Sequence, residues 1–330
     1  MGEEVDAVVV GGGPAGSAAA AMLAEHGAAT TLISGRNAAA RHWTETVSEN
    51  LASLLPELGL PAAALHSVSG ACRWHEAGRS GIHVDRLALD QLLRQAALRA
   101  GARLIGSDKA VEVLHTGGRV SGVRTASGRT LRCRVVIDAT GVRSQLGRRL
   151  ARERRDLSPR LVAWRGEARG WPDGMSDNDA RFVPCDDGWL FLATWRARTT
   201  WTAVRRDLRA PVLPPDIAAL PVTLRARAWP ATWRIVRPVA GSGWLLAGDA
   251  AGRLDPAWGQ GLATALSSGI AAGRAASACL ANPAHESLCA ASYDGWFADR
   301  IYGAAGTLRS RYAANRIDLD PGKPVEPIGD

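Results

Sequence analysis

Lysine is nearly missing from this sequence of 330 residues: Lys109 and Lys323 are the two lysines among 40 basic residues. The other basic residues are arginines, which are scattered along the chain or form short pairs. A net charge of +8 can favour nucleic acid or an anionic membrane surface. Because no long basic block is present, the pattern predicts a solvated, arginine-rich surface and no nucleic-acid partner.

Cysteine is also sparse, and its spacing argues against two kinds of site. The five cysteines form no C-x-x-C pair, and an odd number cannot be fully paired in disulfides. The pattern disfavours a structural zinc site or a disulfide framework and favours ordinary buried thiols. We therefore predict no metal.

Long apolar runs are missing as well. No stretch approaches the roughly 20 apolar residues that a membrane-spanning helix needs. Met1–Asp6 is acidic and runs directly into Val8–Val10, unlike a secretory signal peptide. With 46% hydrophobic and 22% charged residues, the composition is that of a folded globular chain. These features predict a cytoplasmic protein without a membrane span.

Phenylalanine and tyrosine are rare, with three of each, whereas tryptophan occurs 12 times. Seven of the tryptophans lie between Trp164 and Trp233. Tryptophan serves either a core or an aromatic stacking surface. Trp74, Trp189, Trp195 and Trp233 are candidates for an aromatic pocket, although the core is favoured for each, so both interpretations stay open.

What is present is an alternation of strands and helices. The apolar run Val5–Val10, an alanine-rich helix that ends near His26 and a strand at Thr30–Ile33 form a βαβ unit. Residues 103–137 have the pattern of a short antiparallel meander. Residues 151–240 become rich in proline, tryptophan and short strands.

This pattern predicts an α/β fold, in which a Rossmann-like cofactor-binding domain carries an inserted, mostly β substrate domain. We assign the first domain to residues 1–66, 83–150 and 240–330. We assign the inserted domain to residues 67–82 and 151–239.

A glycine fingerprint follows the first strand. Gly11, Gly13 and Gly16 have the spacing G-x-G-x-x-G and open the alanine-rich helix. Gly11 allows a tight turn, Gly13 lets the backbone approach a pyrophosphate, and Gly16 lets the helix pack against the strand. Free N–H groups at the helix start favour an anion. In this setting the motif predicts dinucleotide binding.

Two further turns follow predicted sheet strands. The run GDAAG at residues 248–252 leads into Asp255-Pro256 and Gly259-Gln260-Gly261. The aspartate of this run, Asp249, can bind a ribitol hydroxyl, and the later glycines let backbone amides approach a planar ring. The helix that starts near Gly261 directs its positive end at that ring, where it would stabilise an anionic reduced flavin. The other turn is Asp138–Gly141, with the sequence DATG.

These three motifs, in this order, resemble the FAD-binding domain of the para-hydroxybenzoate hydroxylase-like flavoprotein superfamily, which contains monooxygenases, tryptophan halogenases and geranylgeranyl reductases. The resemblance covers residues 5–150 and 240–315. It implies that a Rossmann-like FAD-binding domain holds FAD in an extended pose and that the substrate reaches the isoalloxazine from the inserted β domain. The implied cofactor-binding residues are Gly11, Gly13, Pro14, Ala15, Gly16, Ser34, Arg36, Arg86, Val111, Thr140, Gly141, Gly248, Asp249, Pro256, Gly259, Gln260, Gly261 and Leu262.

One position departs from this superfamily. An acidic residue is expected at the end of the second strand, where it would hold the adenosine ribose hydroxyls, but Ser34 stands there. A serine hydroxyl is a weaker substitute. The departure therefore bears on cofactor affinity and not on the fold.

Finer similarities point to the halogenase-like branch and to flavoproteins that mature tryptophylquinone enzymes. Thr44-Glu45-Thr46 and the LLPELGL run that ends at Leu60 resemble the GES…LGL segment of that branch, and Gly81–Asp90 resembles its segment with a cofactor-side arginine, here Arg86. Residues 255–269 are similar to the maturing flavoproteins, which act on tryptophan side chains of a partner protein. Halogenases need a lysine soon after the GES segment, and residues 61–90 contain none.

The candidate catalytic residues are Glu45, His66, His75 and His83. The histidines cluster along the segment that should border the substrate cavity, and histidine can act as a general base near neutral pH. A single histidine is more often structural or exposed, so both roles stay open for each. Glu45 is expected to border the cofactor or the cavity rather than to perform acid–base chemistry.

The resemblance implies an FAD-dependent monooxygenase that hydroxylates an aromatic substrate through a C4a-hydroperoxyflavin formed with O2. The substrate is a small metabolite or a tryptophan or tyrosine of a peptide. NAD(P)H supplies electrons directly or through a separate flavin reductase that delivers reduced flavin. Two alternatives remain: an FAD-dependent reductase or dehydrogenase acting on C=C or C–N bonds, and a non-catalytic flavoprotein maturation chaperone.

Overall fold

The computed structural model describes residues 3–35, 43–75, 81–144, 146–150, 153–185, 187–207, 209–317 and 319. The strands in these ranges are β1 Glu3–Val10, β2 Thr30–Ser34, β3 Thr44–Val47, β4 Ser69–Ala71, β5 Arg73–Trp74, β6 Ile82–Asp85, β7 Arg103–Gly106, β8 Ala110–Thr116, β9 Arg119–Thr125, β10 Thr130–Asp138, β11 Glu153–Asp156, β12 Val162–Arg169, β13 Asp179–Cys185, β14 Gly188–Trp195, β15 Arg198–Arg205, β16 Val222–Pro230, β17 Arg234–Arg237, β18 Ala240–Gly241, β19 Trp244–Leu246 and β20 Gly252–Arg253. The helices are α1 Pro14–Glu25, α2 Arg86–Arg99, α3 Gly147–Leu150, α4 Pro215–Ala218, α5 Gly261–Ala281 and α6 Glu286–Ala314.

The largest sheet has a parallel centre. Its strand order is β18-β19-β10-β1-β2-β7; the neighbours from β19 to β7 pair in parallel, and β18 pairs antiparallel with β19 at the edge. The last four residues of β1 are fully buried, as expected for a parallel strand covered on both faces. This arrangement confirms the predicted α/β, Rossmann-like fold class.

Strands β8, β9 and β10 form the antiparallel meander that the sequence predicts. The chain reverses at Gly117-Gly118 and at Gly128, and each of these glycines has a positive φ. Strand β10 belongs to both the meander and the parallel part of the sheet, because Thr130–Arg132 pairs with β9 and Val136–Asp138 pairs with β19. The strand therefore carries the DATG turn into the middle of the parallel sheet.

The tryptophan-rich region forms a six-stranded sheet with the order β16-β12-β15-β14-β13-β5. Leu190, Leu192 and Trp201 form a small separate core on one face, which we call the outer face. Trp189 and Phe191, at alternate positions of β14, pack against the main core on the opposite face, which we call the inner face. The tryptophans thus contribute to two cores.

Two smaller antiparallel sheets complete the fold. One has the order β3-β6-β4, and β3 contacts β14 of the six-stranded sheet. The other has the order β11-β17-β20, and β17 contacts α6. None of the helices that the structure describes combines the length and the hydropathy needed to cross a bilayer.

Helices α1 and α5 meet in backbone contact. A Cβ at Gly269 would overlap the carbonyl oxygen of Ala15, and a Cβ at Gly273 would lie 2.6 Å from the Cβ of Met22. Such close approach requires small residues on both helices, and both are rich in alanine and glycine. The crossing therefore fixes where the two helices begin relative to each other.

Gly269→Ala should destabilise the protein by about 1–3 kcal/mol, because the helices must separate to admit the methyl group. Gly303→Ala is the matched control: Gly303 is an exposed residue of α6, and an added Cβ would meet nothing within 4 Å. Alanine at such a helical site should stabilise by about 0.5–1 kcal/mol. Urea denaturation of both variants measures the two changes in the free energy of unfolding. A Gly269→Ala protein as stable as the wild type would contradict the close crossing.

Candidate cofactor site

The turn after β1 gives its glycines different roles. Gly11 has a φ of +113°, and a Cβ there would overlap the carbonyl oxygen of Ala139. A Cβ at Gly16 would overlap the carbonyl oxygen of Gly11, so the helix can lie against the turn only without a side chain. At Gly13 a Cβ would meet nothing within 4 Å. Gly11 and Gly16 are therefore required for close packing, whereas Gly13 faces open space.

The start of α1 is free to receive an anion. Gly13 caps the helix without a side-chain hydrogen bond, and the first turn has no acidic residue. Pro14 has no N–H, and the N–H groups of Ala15 and Gly16 have no intrahelical acceptor. The Nη2 of Arg94 donates to the carbonyl oxygen of Gly12 at 3.3 Å and adds a positive charge. These groups fit a pyrophosphate.

The remaining adenosine-side predictions concern Ser34, Val111 and Arg36. A Cβ at Gly12 would overlap the hydroxyl of Ser34, so that side chain lies against the glycine turn. Val111 is 47% exposed on β8, and its carbonyl oxygen accepts from the Nη1 of Arg149 at 3.3 Å. Arg36 lies outside the described residues.

The carboxylate of the DATG turn is structural. Asp138 is 1% exposed. Its Oδ1 accepts from the backbone N and the Oγ1 of Thr140 at 2.9 and 2.6 Å. Its Oδ2 accepts from the backbone N of Leu146 and of Gly147 at 2.8 and 3.0 Å. Asp138 thereby shapes the loop that presents Thr140 and Gly141.

Asp249 is placed differently from Asp138. Gly248, with a φ of +61°, donates its N–H to the Oγ of Ser268 at 2.9 Å and so anchors the turn. Asp249 itself makes no hydrogen bond or ion pair with another described residue. Burial raises the pKa of its carboxyl and outweighs the attraction of Arg253 and Arg86. A ligand hydroxyl donating to this carboxylate would favour its ionised form.

The start of α5 presents a second free helix end. Gln260 caps it without a side-chain hydrogen bond, no acidic residue lies in the first turn, and Gly259 has a φ of +66°. A Cβ at Gly259 or Gly261 would meet nothing within 4 Å. The N–H groups of Gly261 and Leu262 have no intrahelical acceptor. The backbone can therefore face a flat, electron-rich ring.

The α1–α5 crossing sets the distance between the two free helix ends. Gly269 meets Ala15 near the start of α1, whereas α5 begins at Gly261. Eight residues at about 1.5 Å each place the start of α5 about 12 Å farther along its axis. An extended dinucleotide can span this separation, so the described residues fit FAD.

A buried network holds the loop before α5. The Oδ2 of Asp255 accepts from the Nε1 of Trp233 at 2.8 Å and from the hydroxyl of Tyr312, and its Oδ1 accepts from the N–H of Ala257 at 2.8 Å. The Nε1 of Trp189 donates to the Tyr312 hydroxyl at 2.7 Å. Burial raises the pKa of Asp255 to about 6, although its three hydrogen-bond donors favour the ionised form. The network ties the loop that carries Pro256 to β14.

Glu45 is the centre of a charged cluster beside this site. Its Oε1 accepts from the Nη1 of Arg86 at 2.8 Å and from the Nε1 of Trp43 at 3.0 Å, and the Nη1 of Arg165 lies 3.9 Å away. Burial favours the neutral carboxyl, but Arg86 and Arg165 outweigh it and hold the pKa of Glu45 below its ordinary value. Glu45 is therefore an ionised acceptor.

Arg165 is a site residue that the sequence does not reveal. It projects from β12 on the inner face, and its Nη2 donates to the carbonyl oxygen of Thr44 at 3.2 Å. Its guanidinium lies 5.6 Å from the centre of the Trp43 ring, and that of Arg86 lies 5.7 Å from the same ring. Sequence separation hides this contact, since Arg165 comes 120 positions after Glu45.

The structure does not gather the candidate histidines around Glu45. His83 is fully buried, its Nδ1 lies 2.9 Å from the Oγ1 of Thr46, and burial lowers its pKa to about 4. Thr46 and Glu45 point to opposite faces of β3, so His83 and Glu45 are on opposite faces too. The Nε2 of His75 pairs with Asp179 at 3.1 Å. His66 is exposed.

Comparisons with known proteins support FAD as the cofactor. A family model described as FAD dependent oxidoreductase matches residues 6–143, and a model described as FAD binding domain matches residues 184–294. Menaquinone reductase of Mycobacterium tuberculosis is 32% identical over 57% of this chain and 52% of the relative. Menaquinone reductase of Mycolicibacterium smegmatis is 29% identical over 56% and 51%. The chain thus spans about half the length of the curated relatives it matches.

Solved structures share the fold at low sequence identity. A flavin-dependent brominase is 18% identical with a TM-score of 0.80, covering 95% of this chain and 88% of that chain. A peptidyl tryptophan dihydroxylase essential for tryptophylquinone cofactor biogenesis is 23% identical with a TM-score of 0.74, covering 96% and 77%. A geranylgeranyl bacteriochlorophyll reductase-like protein of Thermoplasma acidophilum is 19% identical with a TM-score of 0.76, covering 99% and 95%. These structures show a shared fold. The predicted enzyme class, an FAD-dependent oxidoreductase, is confirmed by the two family models and the curated relatives.

Gly13→Ala should abolish FAD retention while leaving the fold intact. The φ of −84° at Gly13 suits alanine, and the added methyl would enter the open space where the backbone faces the ligand. Gly306→Ala is the control, because Gly306 is exposed on α6 and an added Cβ there would also meet nothing within 4 Å. Flavin absorbance of the purified proteins measures retention. Equal flavin content in both variants would contradict the assignment of this turn.

Proposed function

We propose that the chain is an FAD-dependent monooxygenase that hydroxylates an aromatic substrate, either a small metabolite or a tryptophan or tyrosine of a peptide. The observation that carries the proposal is the reach of Arg165 from the aromatic inner face of the six-stranded sheet to Glu45. That contact joins the surface suited to an aromatic substrate to β3, whose Glu45 accepts a hydrogen bond from Arg86. The substrate domain would comprise residues 67–82 and 151–239.

The inner face offers aromatic surface near Arg165. Phe191 shares a cross-strand row with Arg165, because each pairs with Thr202. The Phe191 ring lies 5.5 Å from that of Trp74. Neighbouring strands are about 4.8 Å apart, so Phe191 and Arg165 are separated by roughly 10 Å. A planar substrate can stack on these rings and still reach the charged cluster.

Glu45 supplies a polar contact suited to such a substrate. The described hydrogen-bond donors, the Arg86 Nη1 and the Trp43 Nε1, both donate to its Oε1. Its Oε2 is left to accept a hydrogen bond, and an ionised carboxylate is an acceptor only. An indole N–H or a phenol O–H is the matching donor. Glu45 would orient the ring by this bond rather than exchange a proton with it.

The positive groups around the site suit a reduced, anionic cofactor ring. Arg86 is held charged by Glu45 and Asp90, which outweigh the effect of burial and raise its pKa. The free N–H groups at the start of α5 add the positive end of a long helix. When bound, FAD would supply reducing equivalents and activate O2. The residues of this chain would orient the substrate and exclude water.

The electron supply and the cellular setting belong to the same proposal. NAD(P)H would reduce FAD directly, or a separate flavin reductase would deliver reduced flavin, in the cytoplasm. A peptide substrate is supported by similarity to the peptidyl tryptophan dihydroxylase. Halogen transfer is disfavoured despite similarity to the brominase, because the lysine that the resemblance requires is missing from residues 61–90.

A second candidate is an FAD-dependent reductase acting on a C=C bond. It is favoured by the curated relatives, which are named menaquinone reductase and match the chain at 32% and 29% identity. Reduction would also use the positive groups at the start of α5. It differs in one respect that can be measured, because it consumes reducing equivalents without incorporating oxygen. A maturation chaperone without catalysis would do neither.

Reduced holoenzyme should transfer one labelled oxygen atom from ¹⁸O2 to an indole, a phenol, or a tryptophan- or tyrosine-containing peptide. Phe191→Leu should lower kcat/KM about fivefold, the equivalent of about 1 kcal/mol of aromatic contact. Leu190→Met, at the adjacent position on the outer face, should leave it unchanged. Mass spectrometry of the products and steady-state rates provide the readouts.

Anaerobic addition of two hydrogens to a C=C bond of menaquinone, at the expense of the reduced flavin, together with no label in any aromatic product under ¹⁸O2, would contradict the monooxygenase and favour the reductase. A protein that takes up FAD but turns over neither substrate class would favour the chaperone.

A further inference from the structure

Two of the five cysteines lie at the hairpin between α5 and α6. Cys279 stands two residues before the end of α5, and Cys289 is the fourth residue of α6. Both residues are half-buried, whereas Cys133 is buried and Cys185 is exposed. The hairpin cysteines are therefore accessible to a small oxidant dissolved in water.

Helix geometry brings the two sulfur atoms together. The Sγ of Cys279 lies 4.0 Å from the carbonyl oxygen of Glu286, in the first turn of α6. A helical side chain points back over the preceding turn, so the side chain of Cys289 covers the backbone near Glu286, three positions earlier. The thiol of Cys279 thus lies against the turn that Cys289 covers, and the two side chains are in hydrogen-bonding contact.

The connection between the two helices is short and held by its own hydrogen bonds. The N–H of Asn282 donates to the carbonyl oxygen of Ala278 at 3.0 Å, and the N–H of His285 donates to that of Asn282 at 3.0 Å. The Nδ2 of Asn282 lies 3.2 Å from the Nδ1 of His285. Pro283, with its fixed φ, opens the single helical turn between the helices. The sulfur atoms are therefore held close together before any oxidation.

The two thiols differ in their readiness to react. Burial raises the pKa of Cys279 to about 12, and Cys289 and Glu286 add to this effect, whereas Arg119 opposes it. The thiolate and not the thiol is the nucleophile in thiol oxidation. Cys279 is therefore a poor first nucleophile, which leaves Cys289 to attack the oxidant and Cys279 to complete the bond.

We propose that Cys279 and Cys289 are a reversible modification site, at which hydrogen peroxide converts the two thiols into a disulfide that joins α5 to α6. The O–O bond of the peroxide breaks as the Cys289 sulfur takes one oxygen to form a sulfenic acid, and one water leaves. The Cys279 sulfur then displaces that oxygen as a second water, and the S–S bond forms. The two thiols lose two electrons in total, and the peroxide gains them.

The site goes beyond the proposed oxygen transfer and lies at the opposite end of α5 from the cofactor. Exchange with a small thiol would return the disulfide to two thiols, as expected for a transient disulfide in a reducing compartment. The bond closes a short loop, since Cys289 comes ten positions after Cys279. By restricting the unfolded chain, it should raise Tm by roughly 5 °C.

Peptide mapping of the FAD-loaded protein detects the bond directly. Both cysteines lie in one tryptic peptide, residues 275–300, because no lysine or arginine stands between Arg274 and Arg300. After peroxide treatment and denaturation, this peptide should resist alkylation and be lighter by two hydrogen atoms. Further cleavage after Glu286 should leave two pieces joined by the disulfide. Dithiothreitol should separate the pieces and restore two thiols that can be alkylated.

Serine variants connect the mass change to stability. Cys289→Ser and Cys279→Ser should each abolish both the loss of two hydrogen atoms and the peroxide-dependent rise in Tm. Cys185→Ser is the control, because it removes an exposed cysteine outside the hairpin and should keep both responses. Thermal unfolding followed by circular dichroism measures the shift. The mapping of the wild-type protein needs no variant, so it decides the matter even where a variant folds poorly.

Three results would overturn the proposal. They are two alkylated thiols in peptide 275–300 after peroxide treatment, a sulfinic acid on either cysteine without the cross-link, and a disulfide from either cysteine to another part of the chain. The assay requires no substrate and no turnover, so a failure of oxygen incorporation would leave its outcome readable.

Discussion

The backbone contact between α1 and α5 is the constraint on which the rest of the structure depends. Gly269 can meet the carbonyl oxygen of Ala15 because neither helix carries bulk at the crossing. That contact places two uncapped helix starts at the same side of the parallel sheet, about 12 Å apart along α5. Both starts lack acidic residues in their first turns. The fold therefore places unsatisfied N–H groups and positive helix ends along one line. An extended, anionic dinucleotide that lies along this line can accept hydrogen bonds from both helix starts.

Buried carboxylates hold the loops around that line. Asp138 accepts four hydrogen bonds and fixes the turn with Thr140 and Gly141. Asp255 accepts three and fixes the loop before α5. Through Tyr312 and Trp189, the second network also reaches the six-stranded sheet. The surface suited to a substrate and the loop suited to the cofactor ring are thus connected by hydrogen bonds, so their relative position is set before any ligand binds.

Local patterns in the sequence predict most of the fold. Asp85 does cap α2, where it accepts from the N–H of Ala88, and Gly27 does end α1 with a φ of +83°. Such signals act over a few residues, so they are visible in one sequence. The contacts of Arg165, Arg94 and Tyr312 depend on which distant segments meet, and no local pattern encodes that. The sequence does not reveal the hydrogen bonds of a side chain either. Asp138 and Asp249 therefore look alike in sequence, although of the two only the Asp138 carboxylate accepts hydrogen bonds from described residues.

A crystal structure of the protein grown with FAD tests the central claim most directly. The account predicts the pyrophosphate at the N–H groups of Ala15 and Gly16, a ribitol hydroxyl at Asp249, and the edge of the isoalloxazine at Gly261 and Leu262. An FAD molecule whose pyrophosphate lies away from the start of α1, or whose ring does not approach the start of α5, would contradict it.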